Sequence, residues 1–262
     1  MGLTNERKRQ LKEVLKNCIQ EKFRTYKPET ENMPFHYRLL GKDRMALFSF
    51  IHSLNTTFGT SIYEPVAREL GRPYFVSIDT QVSPYDYVSS DAQSVIQEIM
   101  DGITTAEKEP DKLDEIEQIR KVCQSGKLNK VKLRKVDVFA EDQKGEKYCF
   151  DIKTVKPNIG GFEDYKRMLL TWAAAEMARD PKVKIHTLIA IPYNPYEPKQ
   201  YERWTMRGIF DLPQEVMVAN EFWDFLGGPG TYQDLLDCFE VAGVELRPIM
   251  DKYFSRFNSN NT

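Results

Sequence analysis

Two aspartates and a lysine stand at positions from which they could carry out metal-assisted chemistry. Asp137 lies in the apolar segment 130–140, and Asp151-Ile152-Lys153 falls in a second such segment, 147–154. Both segments are rich in Val, Phe, Tyr and Ile, and the polar stretch Glu141 to Glu146 between them contains Gly145, so together they read as a β-hairpin. Side chains alternate faces along a strand. Asp151 and Lys153 therefore share a face with Cys149, while Tyr148, Phe150 and Ile152 take the apolar one. With Asp137 on the facing strand, two carboxylates and an ammonium gather on one side of the hairpin. Charges gathered in this way are costly unless they are paired or bound to a metal.

The chemistry that suits this set is phosphodiester hydrolysis. Mg²⁺ prefers oxygen ligands, takes one or two carboxylates and keeps positions for water and a substrate phosphate. Asp137 and Asp151 would be those carboxylates, with the Ile152 backbone carbonyl as a further ligand. The metal would lower the pKa of a bound water and offset charge on the phosphate. Lys153 would orient the attacking water and stabilise the transition state. Glu98, on an acidic helix before the hairpin, is the expected third carboxylate, with Asp101 as the other option.

An acidic residue two positions before a lysine is a weak signal by itself. It recurs at Glu6/Lys8, Asp142/Lys144, Asp164/Lys166, Asp180/Lys182 and Glu197/Lys199. Those copies fall in expected helices, turns or proline loops. Only Asp151/Lys153 sits on an apolar strand with a second strand-borne aspartate fourteen positions earlier. A solvent-facing edge strand with cross-strand ion pairs would carry the same residue types.

The flanking segments supply the elements that must position this set. Residues 5–25 and 42–58 show helical apolar spacing, and 62–70 reads as a third helix. A short strand is expected at 74–78. Ser90-Asp91 offers an N-cap for a helix carrying Val95, Ile96, Ile99 and Ile103, and 113–122 is a short charged helix. After the hairpin, Phe162 to Ala178 forms a helix with Tyr165, Leu169, Trp172 and Ala173 on one face. Val183 to Ile191 reads as a buried strand, and 196 onward as mixed helix and loop. The order helix, hairpin, helix, strand gives an α/β core with a mixed sheet flanked by helices. The expected divisions are a helical N-terminal region at 1–90 packed on the core, a core at 91–195, and a C-terminal region at 196–262.

Bulk properties exclude several classes. The 262 residues are 41% hydrophobic and 29% charged, an ordinary globular balance. No apolar run approaches a membrane span, and the polar start lacks a secretory core, so a cytoplasmic protein is expected. Cys18, Cys123, Cys149 and Cys238 form no CxxC pair, which disfavours zinc and disulfide scaffolds. The formal net charge of −2 argues against a nucleic-acid coat protein. The charge is nevertheless segregated. Nine acidic and two basic residues fall at 91–119, and eleven basic and five acidic at 120–156. The basic block contains the hairpin.

Asp137…Asp151-Ile152-Lys153, in this order of elements, resembles the PD-(D/E)xK nuclease superfamily, although Val136 replaces the proline. The stretch Pro34 to Arg44, with Phe48-Ser49-Phe50 and Tyr201 to Gly208, resembles the TdeIII-like type II restriction endonucleases over nearly the whole chain. The resemblance implies a restriction-endonuclease-like fold and Mg²⁺-dependent cleavage of double-stranded DNA at a short palindrome of GGNCC type. It also implies a homodimer and a DNA methyltransferase in the same restriction–modification system, with no direct contact to it. For reading guanines in the major groove, Arg203 and Arg207 are the expected residues. Lys156, Lys166 and Arg167 are expected at backbone phosphates, which position without specifying.

Three other functions compete. A repair or recombination nuclease would use the same core. A catalytically inactive DNA-binding module has no need of Asp137, Asp151 and Lys153. A small-molecule enzyme would want a phosphate-cradling glycine loop, but Gly160-Gly161 and Gly227-Gly228-Pro229-Gly230 lack GxGxxG or P-loop spacing.

Overall fold

The computed structural model describes residues 2–28, 32–153, 161–201 and 204–256. The chain forms two compact units, Met1–Glu69 with Gly228–Thr262, and Leu70–Gly227.

The first unit opens with α1 (Asn5–Thr25), as its apolar spacing predicts. Thr4 caps it by accepting from the Arg7 N–H at 3.3 Å, which satisfies one of the free amides of the first turn. A short helix, α2 (Pro34–Leu40), starts on a proline, whose fixed φ suits the first helical turn. It was not anticipated from apolar spacing. In α3 (Lys42–Phe58) the expected bounds hold. The backbone continues through a π-helical turn, Gly59–Tyr63, into α4 (Glu64–Gly71).

The second unit holds the sheet. Its elements are β1 (Ser77–Val82), β2 (Tyr87–Ser89), α5 (Ser90–Thr104), α6 (Lys112–Val122), β3 (Leu128–Lys130), β4 (Val136–Glu141) and β5 (Lys147–Ile152). They are followed by α7 (Phe162–Arg179), β6 (Ile185–Ile191), α8 (Trp204–Arg207), α9 (Leu212–Glu215), β7 (Val216–Val218) and α10 (Asn220–Gly227). The last helix, α11 (Thr231–Ser255), returns to the first unit and packs on α1. There Phe23 stacks on Phe50 at 4.7 Å and meets Tyr253 edge-on at 4.9 Å.

The five-stranded sheet has the order β1-β4-β5-β6-β7. β1, β4 and β5 run antiparallel, and β6 and β7 continue parallel to β5. The hairpin turn between β4 and β5 is short because Gly145 takes φ 75° there, a conformation glycine adopts without steric cost. The parallel step from β5 to β6 uses α7 as its crossover. α7 is almost wholly buried, packing on β6, α5 and α6. The opposite face of the sheet is covered by α10, which sets Phe222 and Phe225 against Phe150 with ring centroids 5.2 and 5.8 Å away. β5 is therefore buried on both faces from Cys149 to Ile152. Phe150→Ala should cost about 3–5 kcal/mol in urea unfolding. A loss below about 1 kcal/mol would mean that this face is not packed.

Among the described residues, no helix is long and apolar enough to cross a membrane.

Candidate active site

β4 and β5 pair in register from Glu141↔Lys147 to Val138↔Phe150. One step further, that register sets Asp137 opposite Asp151. Here the ladder gives way to a side chain: the Ile152 N–H donates to Asp137 Oδ2 at 2.8 Å. The Ile152 amide, which would otherwise seek a backbone carbonyl, thus fixes the Asp137 carboxylate. Gln81 of β1 donates to the other oxygen, Oδ1, at 3.3 Å.

Asp151 is 4% exposed. Lys153 Nζ lies 2.6 Å from its Oδ2 and also sits over the Tyr165 ring of α7, 4.7 Å from the centroid. Gly161 makes room for that ring, because a Cβ there would come within 3.1 Å of Tyr165. No backbone or neutral side-chain donor reaches this buried oxygen among the described residues, so the Lys153 ammonium alone meets it.

Burial pushes the Asp151 carboxyl up to about 6; Lys153 and Arg134 pull it down, and the Asp137 charge pushes it up. Burial also raises Asp137, against the pull of the Ile152 amide, Lys153 and Gln81. Each carboxylate is thus held in a place that disfavours its charge. Two carboxylates and one ammonium leave the pair one negative charge in excess. A buried carboxylate oxygen met by one ammonium only, in an all-oxygen, net-negative set, fits a hard divalent cation. Among the described residues, no group of three or more His, Cys, Asp or Glu side chains could hold a metal. Asp137 and Asp151 are the carboxylates that the fold brings together here.

The expected third carboxylate is not brought to this pair. Glu98 is exposed on α5, whose buried stripe is Ala92, Ile96, Ile99, Met100 and Ile103. That stripe turns Glu98 to solvent, and among the described residues no hydrogen bond or ion pair joins it to Asp137 or Asp151. Asp101 is likewise exposed and accepts from Gln97.

The expected phosphate contacts also divide. Lys166 is fully buried, with its ammonium 2.6 Å from Glu115 and 2.6 Å from Glu215. It ties α7 to α6 and α9 and cannot reach a backbone phosphate from there. Arg167 is half-buried on α7, and Arg207 is exposed at the end of α8. Lys156 and Arg203 lie outside the described residues. Arg134, just before β4, was missed by sequence reasoning, although it belongs to the basic run 130–135. It is exposed, close enough to Asp151 to lower its carboxyl, and its carbonyl is anchored by the Trp172 indole N–H at 3.0 Å.

The sequence model described as "Type II restriction endonuclease, HinfI" matches residues 3–243. The type II restriction enzyme MjaII of Methanocaldococcus jannaschii is 27% identical over 233 residues, covering 79% of this chain and 61% of that enzyme. HgiCII and HgiEI, type II restriction enzymes of Herpetosiphon aurantiacus, are each 26% identical over 219 residues, covering 80% of this chain and 77% of theirs. The resemblance to restriction endonucleases is thus met, and the matching family is HinfI. With the model spanning most of the sequence, the chain belongs to the HinfI family of type II restriction endonucleases.

Proposed function

We propose that the protein is a Mg²⁺-dependent endonuclease that cuts double-stranded DNA at a short palindromic site. The observation that carries this is the pair Asp137–Asp151 at the splayed end of β4 and β5, with Lys153 2.6 Å from Asp151. The names of the relatives, all type II restriction enzymes, support the same reaction.

Asp137 and Asp151 would hold the cation, with the Ile152 carbonyl beside them. When bound, a divalent cation makes water a better nucleophile and neutralises charge on the phosphate. The chain's own contribution is placement. The Ile152 amide holds Asp137, and packing on the buried β5 holds Asp151. Lys153, steadied by Tyr165, would stand beside the scissile phosphate, orient the attacking water and offset the growing negative charge. Arg203 and Arg207 would read guanines, Lys156 and Arg167 would hold backbone phosphates, and Arg134, near enough to Asp151 to lower its carboxyl, would join the phosphate contacts. The likeness of the 34–44 and 201–208 stretches to TdeIII-like enzymes supports a GGNCC-type site. A palindrome implies a two-fold homodimer, and a genome cut at such a site implies a methyltransferase that protects it.

Digestion of DNA of known sequence followed by sequencing of the fragment ends tests this. Discrete ends at one two-fold symmetric sequence are expected. Ends scattered without sequence preference would point to repair or recombination instead.

A further inference from the structure

Gln81 is a strained residue in contact with Asp137. It has φ 55°, in the left-handed region where a side chain with a Cβ is disfavoured. It sits within β1, where the pairing with β4 passes from Thr80↔Val138 to Val82↔Val136 and skips it. The same register sets Gln81 beside Asp137, and the β4–β5 register sets Asp137 beside Asp151. Three side chains therefore stand abreast on β1, β4 and β5. The Gln81 amide reaches Asp137 Oδ1 at 3.3 Å, while the Ile152 N–H takes Oδ2 at 2.8 Å. Glycine would occupy this backbone conformation without strain, yet the chain places a glutamine there. Such outliers persist where the surroundings enforce them and the side chain has a task.

Resting on the active-site assignment above, we infer that Gln81 is a positioning residue, which turns the Asp137 carboxylate toward the bound cation. Two donors, one on each oxygen, fix the carboxylate plane. Gln81 does so without adding charge, so the site keeps a single excess negative charge. Partners that orient a metal ligand in this way commonly change affinity by about 10–100-fold when removed.

The test compares Gln81→Gly and Asp137→Asn with the wild type. Binding of Mn²⁺ to the metal-free protein is followed by the free-ion signal in electron paramagnetic resonance. Melting temperature is measured in EDTA, and DNA cleavage over a Mg²⁺ titration. Gln81→Gly is expected to melt at or above the wild-type temperature, since it relieves the backbone. It should bind Mn²⁺ about 10–100-fold more weakly, and need correspondingly more Mg²⁺ for half-maximal cleavage while approaching the wild-type rate at saturation. A merely structural Gln81 would leave metal affinity unmoved. Wild-type Mn²⁺ affinity in Gln81→Gly, alongside lost binding in Asp137→Asn, would overturn the role of Gln81 and leave the active site standing. A wild type that binds no Mn²⁺ would overturn both.

Discussion

Asp151→Asn is expected to lower DNA cleavage by at least about 10³-fold, the loss implied by removing several kcal/mol of transition-state stabilisation. The same change should stabilise the metal-free protein. Asp151 is buried, and its carboxyl is raised to about 6 in the folded state, against about 3.9 unfolded. A raised acid favours folding at pH below the unfolded value, and that contribution is lost as pH rises through about 6. Above pH 7 the ionised group therefore costs the fold about 1–3 kcal/mol, a cost that asparagine does not carry. In EDTA, Asp151→Asn should melt higher than the wild type at pH 8, and the gap should close toward pH 4. Added Mg²⁺ should stabilise the wild type and leave the variant unmoved. If the variant melted lower than the wild type at pH 8 in EDTA, the carboxylate would be serving the fold, and the site would lose its strongest electrostatic sign of metal binding.

Glu215→Gln should cost the sheet unit about 3–5 kcal/mol, because it leaves buried ammonium groups short of a counter-charge. Glu215 is fully buried between Lys112, 2.9 Å from Oε1, and Lys166, 2.6 Å from Oε2, and it also accepts from the Asp211 N–H at 3.0 Å. Lys112 reaches on to Thr187 at 2.9 Å, and Lys166 to Glu115 at 2.6 Å. The cluster links α6, α7, β6 and α9 beneath the sheet. Burial pushes the Glu215 carboxyl up, but the two ammoniums outweigh it and hold it below the ordinary range. Its contribution is present above about pH 4.3 and is lost as pH falls through the lowered folded value. Urea unfolding of the variant at pH 7 measures the loss. A difference under about 1 kcal/mol would show that the cluster is hydrated and holds nothing together.

The juxtaposition of Asp137 and Asp151 was legible in the sequence because strand geometry is nearly local. Alternation along 147–152 sorts Cys149 and Asp151 from Phe150, and a short glycine turn brings Asp137 alongside. Residues that depend on longer-range contacts were not legible. Lys166 reads as a surface lysine on an amphipathic helix, and its neutralising partners Glu115 and Glu215 come from separate segments of the chain. Glu98 lies in an acidic stretch, but the apolar stripe of α5 decides where it points. Gln81 falls beyond the expected strand 74–78, because the observed strand is displaced to Ser77–Val82, and no local pattern announces a left-handed glutamine. β7 has three residues, too few for periodicity, and α11 joins α1 through packing that no local pattern encodes.

The most direct test is incubation of one supercoiled plasmid with the wild-type protein in Mg²⁺ and in EDTA, beside Asp137→Asn and Lys153→Met in Mg²⁺. Discrete linear fragments are predicted from the wild type in Mg²⁺ alone. A wild type inert in every divalent metal, or an Asp137→Asn protein cutting at the wild-type rate, would contradict the account.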